Sequence, residues 1–125
     1  MMTDEIVPPD IKDFILAHID SIADLEAMLL LRANPARPWD ATALAQRLYV
    51  GEHEGQEILT RLAAEGLAIR NDGTYGYAPT GETAALIDRL AEVYARQLIP
   101  ITSIIHQKPG RIQKFADAFK LKRKP

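Results

Sequence analysis

Residues 44–80 read LAQRLYVGEHEGQEILTRLAAEGLAIRNDGTYGYAPT, and the spacing of their apolar residues changes once, at Gly66. Before Gly66 the apolar residues recur every three or four positions, which predicts a helix over 52–65. After Gly66 apolar and polar residues alternate, as they do in half-buried strands. Asp72 and Gly73 interrupt this alternation, and the pair favours a tight hairpin turn because both residues tolerate positive φ.

Three further helices are predicted upstream of this stretch. The first follows Pro8 and Pro9, since proline suits the first turn of a helix. Ser21 and Asp40 are the predicted N-caps of the second and third helices, because their side-chain oxygens can accept hydrogen bonds from free backbone N–H groups. The second helix is expected to stop near Asn34, which precedes a proline.

A long C-terminal helix is predicted over 81–107, with Thr80 as its cap. Pro100 removes a backbone donor, so a kink or break is expected near Ile99. The apolar stripe of this helix is wider than one short neighbouring helix requires, which predicts a homodimer. The predicted dimer contacts are Leu86, Ile87, Leu90, Tyr94, Leu98, Ile101 and Ile105.

The chain has 125 residues, of which 47% are apolar, and this is the size and composition of one globular domain. Its charge is divided unevenly along the sequence. Residues 1–107 contain 8 Lys/Arg and 16 Asp/Glu, a net charge of −8, whereas residues 108–125 contain 7 Lys/Arg and one Asp, a net charge of +6. We therefore expect a single domain over 1–107, followed by a basic amphipathic tail that could contact phosphates, an anionic membrane surface or the acidic body itself.

Several classes of function find no support in the sequence. The chain has no cysteine, and its first residues lack the basic and apolar regions of a signal peptide, so a cytoplasmic location is expected. No apolar run is long enough for an integral membrane segment. Ser21 and Ser103 lie in no nucleophile motif, so we expect no enzyme activity and no cofactor. His53 and Glu57 could form a metal pair, but a solvated helix face is the favoured interpretation.

Three helices followed by a hairpin is the order of a winged helix-turn-helix domain, and residues 44–80 resemble the core of the MarR-like winged helix-turn-helix regulators. The resemblance covers about residues 22–80, and the long helix that follows resembles the dimerisation helices of such regulators. The residues that carry it are Leu44, Ala45, Leu48, Leu59, Leu62, Glu65, Gly66 and Leu67.

This resemblance implies a mainly α (α+β) fold, with a winged helix-turn-helix core, a small β-hairpin wing, an N-terminal helix and a long C-terminal helix. It also implies a non-enzymatic transcriptional regulator that binds duplex DNA. Where the family pattern has a glycine in the inter-helix turn, a Ser or Thr at the start of the reading helix and a branched apolar residue in its first turns, this chain has Tyr49, Gly51 and Gly55. A glycine inside a helix costs about 1 kcal/mol relative to alanine, so Gly55 is expected to weaken the reading helix.

The helix over 52–65 offers carboxylates where a reading helix would approach phosphates. Glutamate in a first turn also stabilises any helix by roughly 0.3 to 1 kcal/mol, through the helix dipole. Three functions therefore stay open: DNA binding, a winged-helix protein–protein interaction module whose acidic helix does not read DNA, and, least favoured, a small enzyme or metal protein. The candidate DNA or partner contacts are Glu52, His53, Glu54, Gln56, Glu57, Arg61, Arg70, Lys108, Arg111, Lys114, Lys120, Lys122, Arg123 and Lys124.

Overall fold

The structure is a computed structural model, and it describes residues 7–108. This part of the chain is mainly helical with one antiparallel hairpin, so the predicted α+β class is confirmed. Within it, no helix has the length and apolar character needed to cross a bilayer. In chain order the elements are α1 (Pro9–His18), α2 (Ile22–Ala33), α3 (Ala41–Leu48), α4 (Glu52–Ala64), β1 (Ala68–Asn71), β2 (Thr74–Tyr77), α5 (Gly81–Arg96) and α6 (Leu98–His106).

Two of the three predicted N-caps are confirmed by their hydrogen bonds. The Ser21 hydroxyl accepts from the Asp24 N–H at 3.0 Å, and the Asp40 carboxylate accepts from the Ala43 N–H at 2.8 Å. The third prediction is wrong in its detail, since Thr80 stands at the N-cap position of α5 but its side chain makes no capping hydrogen bond. Capping by a short polar side chain thus fixes where α2 and α3 begin.

The hairpin turn lies where the sequence predicts it. Asp72 and Gly73 have φ of 57° and 90°, the positive values that a tight two-residue turn requires. Trp39 extends the two strands by a short bridge, donating its N–H to the Tyr75 carbonyl at 2.8 Å and accepting from the Tyr75 N–H at 2.7 Å. Tyr75 also pairs with Arg70 across the hairpin, so these three side chains project from the same face.

The single C-terminal helix predicted over 81–107 is corrected to two helices. The break falls at Gln97, whose φ and ψ of −126° and 54° are not helical, two residues before the expected position at Ile99. Pro100 lies in the first turn of α6, where its missing N–H has no intrahelical partner to lose. The break lets α6 pack on α1, which also contacts α5.

The core of the protomer uses much of the apolar stripe that had predicted a dimer. Ile87, Leu90, Ile101 and Ile105 are each 0% exposed within one copy of the chain. These four residues are covered within one copy, because α1 packs on both α5 and α6 and these two helices contact each other. Burial of these side chains therefore does not require a second copy, and the dimer stays a prediction. Leu98 is the one of the seven that is largely exposed, and the other two are Leu86 and Tyr94, which are half-buried.

Tyr94 gives the fold a specific sensitivity to high pH. Burial first, and then a 2.5 Å hydrogen bond to Glu26, raise its pKa well above the ordinary value of 10.0. Above pH 10 the unfolded chain releases this proton before the folded chain does, so the stabilisation is complete below pH 10 and is lost as the pH rises towards the folded pKa. We expect Tyr94→Phe to lose less stability above pH 10 than the unmodified chain, measured by urea denaturation. Equal losses would contradict this.

Candidate nucleic-acid interface

The outward face of α4 is acidic in its first two turns. Glu52, His53, Glu54 and Glu57 are all exposed, as the sequence predicts. Glu52 accepts a hydrogen bond from the Thr42 hydroxyl of α3, and His53 lies 3.3 Å from Glu57. The N-cap of α4 is a glycine with no side-chain hydrogen bond, so the two glutamates of the first turn are its main local electrostatic stabilisation.

Arg61 is held in an ion pair with α2, although its side chain is 40% exposed, so its assignment as a DNA contact stays a prediction. Its Nε and Nη2 donate to the two carboxylate oxygens of Asp24 at 3.1 and 2.8 Å. Asp24 is 2% exposed, and the hydrogen bonds from Arg61 to this carboxylate are the largest reason that the pKa of Arg61 is raised. The pair joins α2 to α4. No other cation lies on α4, so the outward face of this helix has no positive charge of its own.

Gln56 faces the hairpin and lines a groove. Its side-chain amide donates to the Tyr75 hydroxyl at 3.1 Å and to the Thr60 hydroxyl at 3.3 Å. The groove between α4 and the hairpin has a volume of about 360 Å³. Arg70 lies on its rim, is exposed, and makes no ion pair within residues 7–108. The Thr60 hydroxyl in turn donates to the Gln56 carbonyl oxygen at 2.9 Å, so within the groove the Arg70 guanidinium is the group without an ion-pair partner among the described residues.

Gly55 has a role that the sequence did not reveal. It is buried where α4 crosses α3, and a Cβ atom added there would lie 2.8 Å from the Ala41 carbonyl oxygen and 3.3 Å from the Ala45 Cβ. The interpretation of Gly55 as a weak point of α4 is thus incomplete, because the missing side chain allows the two helices to approach closely.

Tyr49 is the most exposed large apolar residue in the described part of the chain, at 94%. It lies in the turn between α3 and α4 in the left-handed conformation, with φ of 58° and ψ of 44°. An aromatic residue rarely adopts this conformation. The signal for it in the sequence is that the MarR-like family, which the sequence resembles, usually has a glycine in this turn. The ring therefore projects beside the acidic start of α4.

Sequence reasoning missed two arginines beside the hairpin. The guanidinium carbon of Arg37 lies 4.0 Å from the ring centre of Trp39, and that of Arg47 lies 5.7 Å from it. Both arginines are exposed, whereas Trp39 is 0% exposed. The sequence places Arg37 two positions before the single tryptophan of the chain, which could have indicated contact with its ring. Arg47 lies on the next helix, so only the fold brings it near Trp39.

Three other cations of the described residues are paired, whereas Lys12 and Arg96 make no ion pair there. Arg32 contacts Asp88 at 2.8 Å, and Arg89 contacts Asp10. Lys108 donates to the Ile19 carbonyl oxygen at 2.6 Å and to Asp20 at 3.0 Å, so its assignment as a DNA contact is corrected to an internal anchor. The remaining tail candidates lie outside the described residues, and they are Arg111, Lys114, Lys120, Lys122, Arg123 and Lys124.

A second groove, of about 320 Å³, lies between α1 and the start of α5. His18 and Glu65 meet there at 2.7 Å, and the His18 ring is 4.9 Å from the Phe14 ring. No group of three metal-ligating side chains comes together anywhere in residues 7–108. Comparison with family models, with curated proteins and with solved structures gives no match for this chain. Its function must therefore be argued from its own residues.

Proposed function

We propose that the protein is a non-enzymatic winged helix-turn-helix regulator that binds duplex DNA through its hairpin and its basic tail. The observation that carries the proposal is Arg70, an uncompensated guanidinium at the rim of the groove between α4 and the hairpin. The groove is also lined by the Gln56 amide and the Thr60 hydroxyl, but their protons are donated to Thr60, Tyr75 and the Gln56 carbonyl, so Arg70 is the group offered to a phosphate there. The tail adds a high density of positive charge at the end of the same chain.

The arrangement of elements favours a winged-helix fold. Helices α2, α3 and α4 precede a hairpin. Trp39 lies between α2 and α3 and forms a β-bridge with Tyr75 on β2, the second strand of that hairpin. A helix-turn-helix followed by a small sheet can place α4 in a major groove and the hairpin beside it. A cytoplasmic location is part of the same proposal.

The acidic face of α4 limits what this helix contributes to DNA binding. Lys and Arg supply most of the affinity for phosphates, and α4 has no free cation. A glutamate can accept a hydrogen bond from cytosine N4, so Glu54 or Glu57 could still influence sequence selectivity. We therefore assign the affinity for DNA phosphates to Arg70 and the tail. Helix α4 contributes at most to the choice of DNA sequence.

The test is fluorescence anisotropy of a labelled duplex titrated with three forms of the chain at several salt concentrations. The truncated form ends after Lys108, because Lys108 belongs to the body through its contacts with Ile19 and Asp20. Each phosphate contact contributes about 0.9 to the slope of log K against log salt, so loss of the six tail cations should reduce the slope by up to about 5. Arg70→Gln should reduce it by about 0.9.

Arg96→Gln is the matched control for Arg70→Gln. Arg96 is exposed on α5 and, like Arg70, makes no ion pair in the described part of the chain. The control removes the same charge and should leave the slope unchanged. Absence of binding by the full chain at low salt would contradict the DNA proposal.

A protein–protein interaction module is the second candidate, favoured by the acidic face of α4 together with the exposed Tyr49 ring. The complementary partner would be a basic protein segment that covers the ring and meets the carboxylates. Charge reversal at Glu54 and Glu57 separates the two functions. If DNA approaches α4, the Glu54→Lys/Glu57→Lys variant should bind the duplex more tightly. If α4 instead docks a basic partner, the same variant should lose binding to a lysine-rich peptide and gain nothing on DNA.

The homodimer stays a prediction, and it now depends on fewer residues. Of the original contacts, Leu86, Tyr94 and Leu98 keep exposed area, and Ile99 beside them is 70% exposed. Light scattering of the full chain measures the mass directly. A monomer mass at high protein concentration would contradict a dimer formed through these residues.

A further inference from the structure

Trp39 has two guanidinium groups close to its ring, those of Arg37 and Arg47. A cation–π contact is significant within roughly 6 Å of the ring centre. Arg37, at 4.0 Å, meets this condition well, whereas Arg47, at 5.7 Å, is near its limit. Because both distances start at the same ring centre, the two guanidinium carbons are less than about 10 Å apart.

This pair of positive charges has no carboxylate partner among residues 7–108. Arg32, Arg61 and Arg89 each have one, whereas Lys12, Arg70 and Arg96 have none in the same part of the chain. Arg37 and Arg47 differ from these last three in approaching the same side chain. Two cations within about 10 Å of each other repel, and an anion that contacts both would give a favourable interaction instead. The arrangement therefore favours an anionic ligand.

Phosphate is the anion that this chemistry fits best. A guanidinium is planar, keeps its charge at all physiological pH values, and can donate two parallel hydrogen bonds to one phosphate group. Arg37 lies in the connection before α3 and Arg47 lies on α3, so the fold holds the two side chains from different elements. Stacking on the buried Trp39 ring limits the freedom of Arg37 before any ligand arrives.

The pair also lies in line with Arg70. Trp39 bridges Tyr75, and Tyr75 pairs with Arg70 on the other side. Since neighbouring strands are about 4.8 Å apart, the backbones at Trp39 and Arg70 are separated by about 10 Å. Arg70 therefore lies at one end of a row of three residues across this small sheet, and Trp39, whose ring Arg37 and Arg47 approach, lies at the other end.

We infer that Arg37 and Arg47 form a phosphate-binding site, and that in a DNA complex this site holds backbone phosphates next to those contacted by Arg70. The second part rests on the proposed DNA-binding function. The first part does not, because inorganic polyphosphate presents the same chemical group. Together the two sites would place one DNA strand along the edge formed by the α2–α3 connection and the hairpin.

Trp39 provides a direct readout, since it is the only tryptophan of the chain and Arg37 lies on its ring. The full chain is titrated with a short duplex and, separately, with inorganic tripolyphosphate, while Trp39 emission is recorded. Each ligand should produce a saturable change that is lost in Arg37→Gln/Arg47→Gln. By anisotropy, this variant should also reduce the salt slope for DNA by about 1.8, at 0.9 for each lost contact.

The matched control is Lys12→Gln/Arg96→Gln, which removes the same charge from exposed positions on α1 and α5. It should keep both the emission change and the slope. If Arg37→Gln/Arg47→Gln does not fold, as judged by circular dichroism, the two single variants replace it, each with an expected slope reduction of about 0.9.

The outcomes separate this inference from the proposed function. If the unmodified chain binds DNA and the double glutamine variant keeps its slope and emission change, the phosphate site is overturned and DNA binding stands. If the unmodified chain does not bind DNA, the proposed function fails, and tripolyphosphate decides whether the site exists. No change in Trp39 emission with tripolyphosphate would then overturn the site as well.

Discussion

Arg61→Met should lower the free energy of unfolding by about 3 kcal/mol, because it leaves a buried carboxylate without its ion-pair partner. Asp24 is 2% exposed, and the two hydrogen bonds from Arg61 are the ones that its side chain accepts. Arg61 itself is 40% exposed, so water can replace part of the lost interaction and the lower end of the usual range is expected. Methionine keeps most of the apolar stem of the arginine. Urea denaturation followed by circular dichroism measures the change.

Arg32→Met is the matched control, since it removes an arginine from an ion pair near the surface. The side chains of Arg32 and Asp88 are 33% and 59% exposed, and such pairs contribute less than about 1 kcal/mol. A second variant, Asp24→Leu/Arg61→Met, replaces the whole pair with apolar groups and should recover much of the loss. An Arg61→Met protein that is no less stable than Arg32→Met would show that the buried pair is not important for stability.

The Arg61→Met variant also distinguishes an arginine with a structural role from those proposed to bind DNA. Because both hydrogen-bonding nitrogens of Arg61 that face α2 are occupied by Asp24, Arg61→Met should leave the salt slope of DNA binding unchanged while the protein remains folded. Arg70→Gln should do the opposite, with little effect on stability and a lower slope. The two arginines differ in their partners and not in their residue type.

Local features of the fold could be predicted from the sequence because their causes lie within a few residues. The turn at Asp72 and Gly73 needs only two residues that tolerate positive φ. The caps at Ser21 and Asp40 need only an oxygen three residues before a free N–H. Thr80 satisfies the same sequence rule and stands at the start of α5, yet its side chain makes no capping hydrogen bond. The rule therefore predicts where a helix begins more reliably than it predicts the hydrogen bond.

The contacts that decide the candidate site are separated in the sequence, and periodicity does not report them. Arg61 and Asp24 are 37 positions apart, and nothing in either helix shows that one covers the other. Apolar spacing correctly marked Ile101 and Ile105 as residues that need cover, but not that the protomer itself supplies it. Apolar spacing thus shows which residues are buried but not which surface covers them, and the dimer itself stays a prediction.

Gly55→Ala should destabilise the protein by about 1 to 2 kcal/mol, although helix propensity alone predicts a gain of about 1 kcal/mol. The reason is steric, because the added Cβ would lie 2.8 Å from the carbonyl oxygen of Ala41, a backbone atom that cannot rotate away. Overpacking of this kind costs about 1 to 3 kcal/mol, and Gly55→Val should reach about 3 kcal/mol. The sign of the change for alanine distinguishes close helix packing from simple propensity, and urea denaturation measures it.

Gly76→Ala is the control, since it adds the same methyl group where no other atom lies within 4 Å. Its effect should be close to zero or slightly stabilising. A stabilised Gly55→Ala protein would mean that α3 can move away from α4 at little cost. In that case the glycine would not be required for the contact between the two helices, and the position of Arg47 on α3 relative to the acidic face of α4 would be adjustable. A destabilised protein would mean that the spacing of α3 and α4, and with it the separation of their charges, is fixed by this one residue.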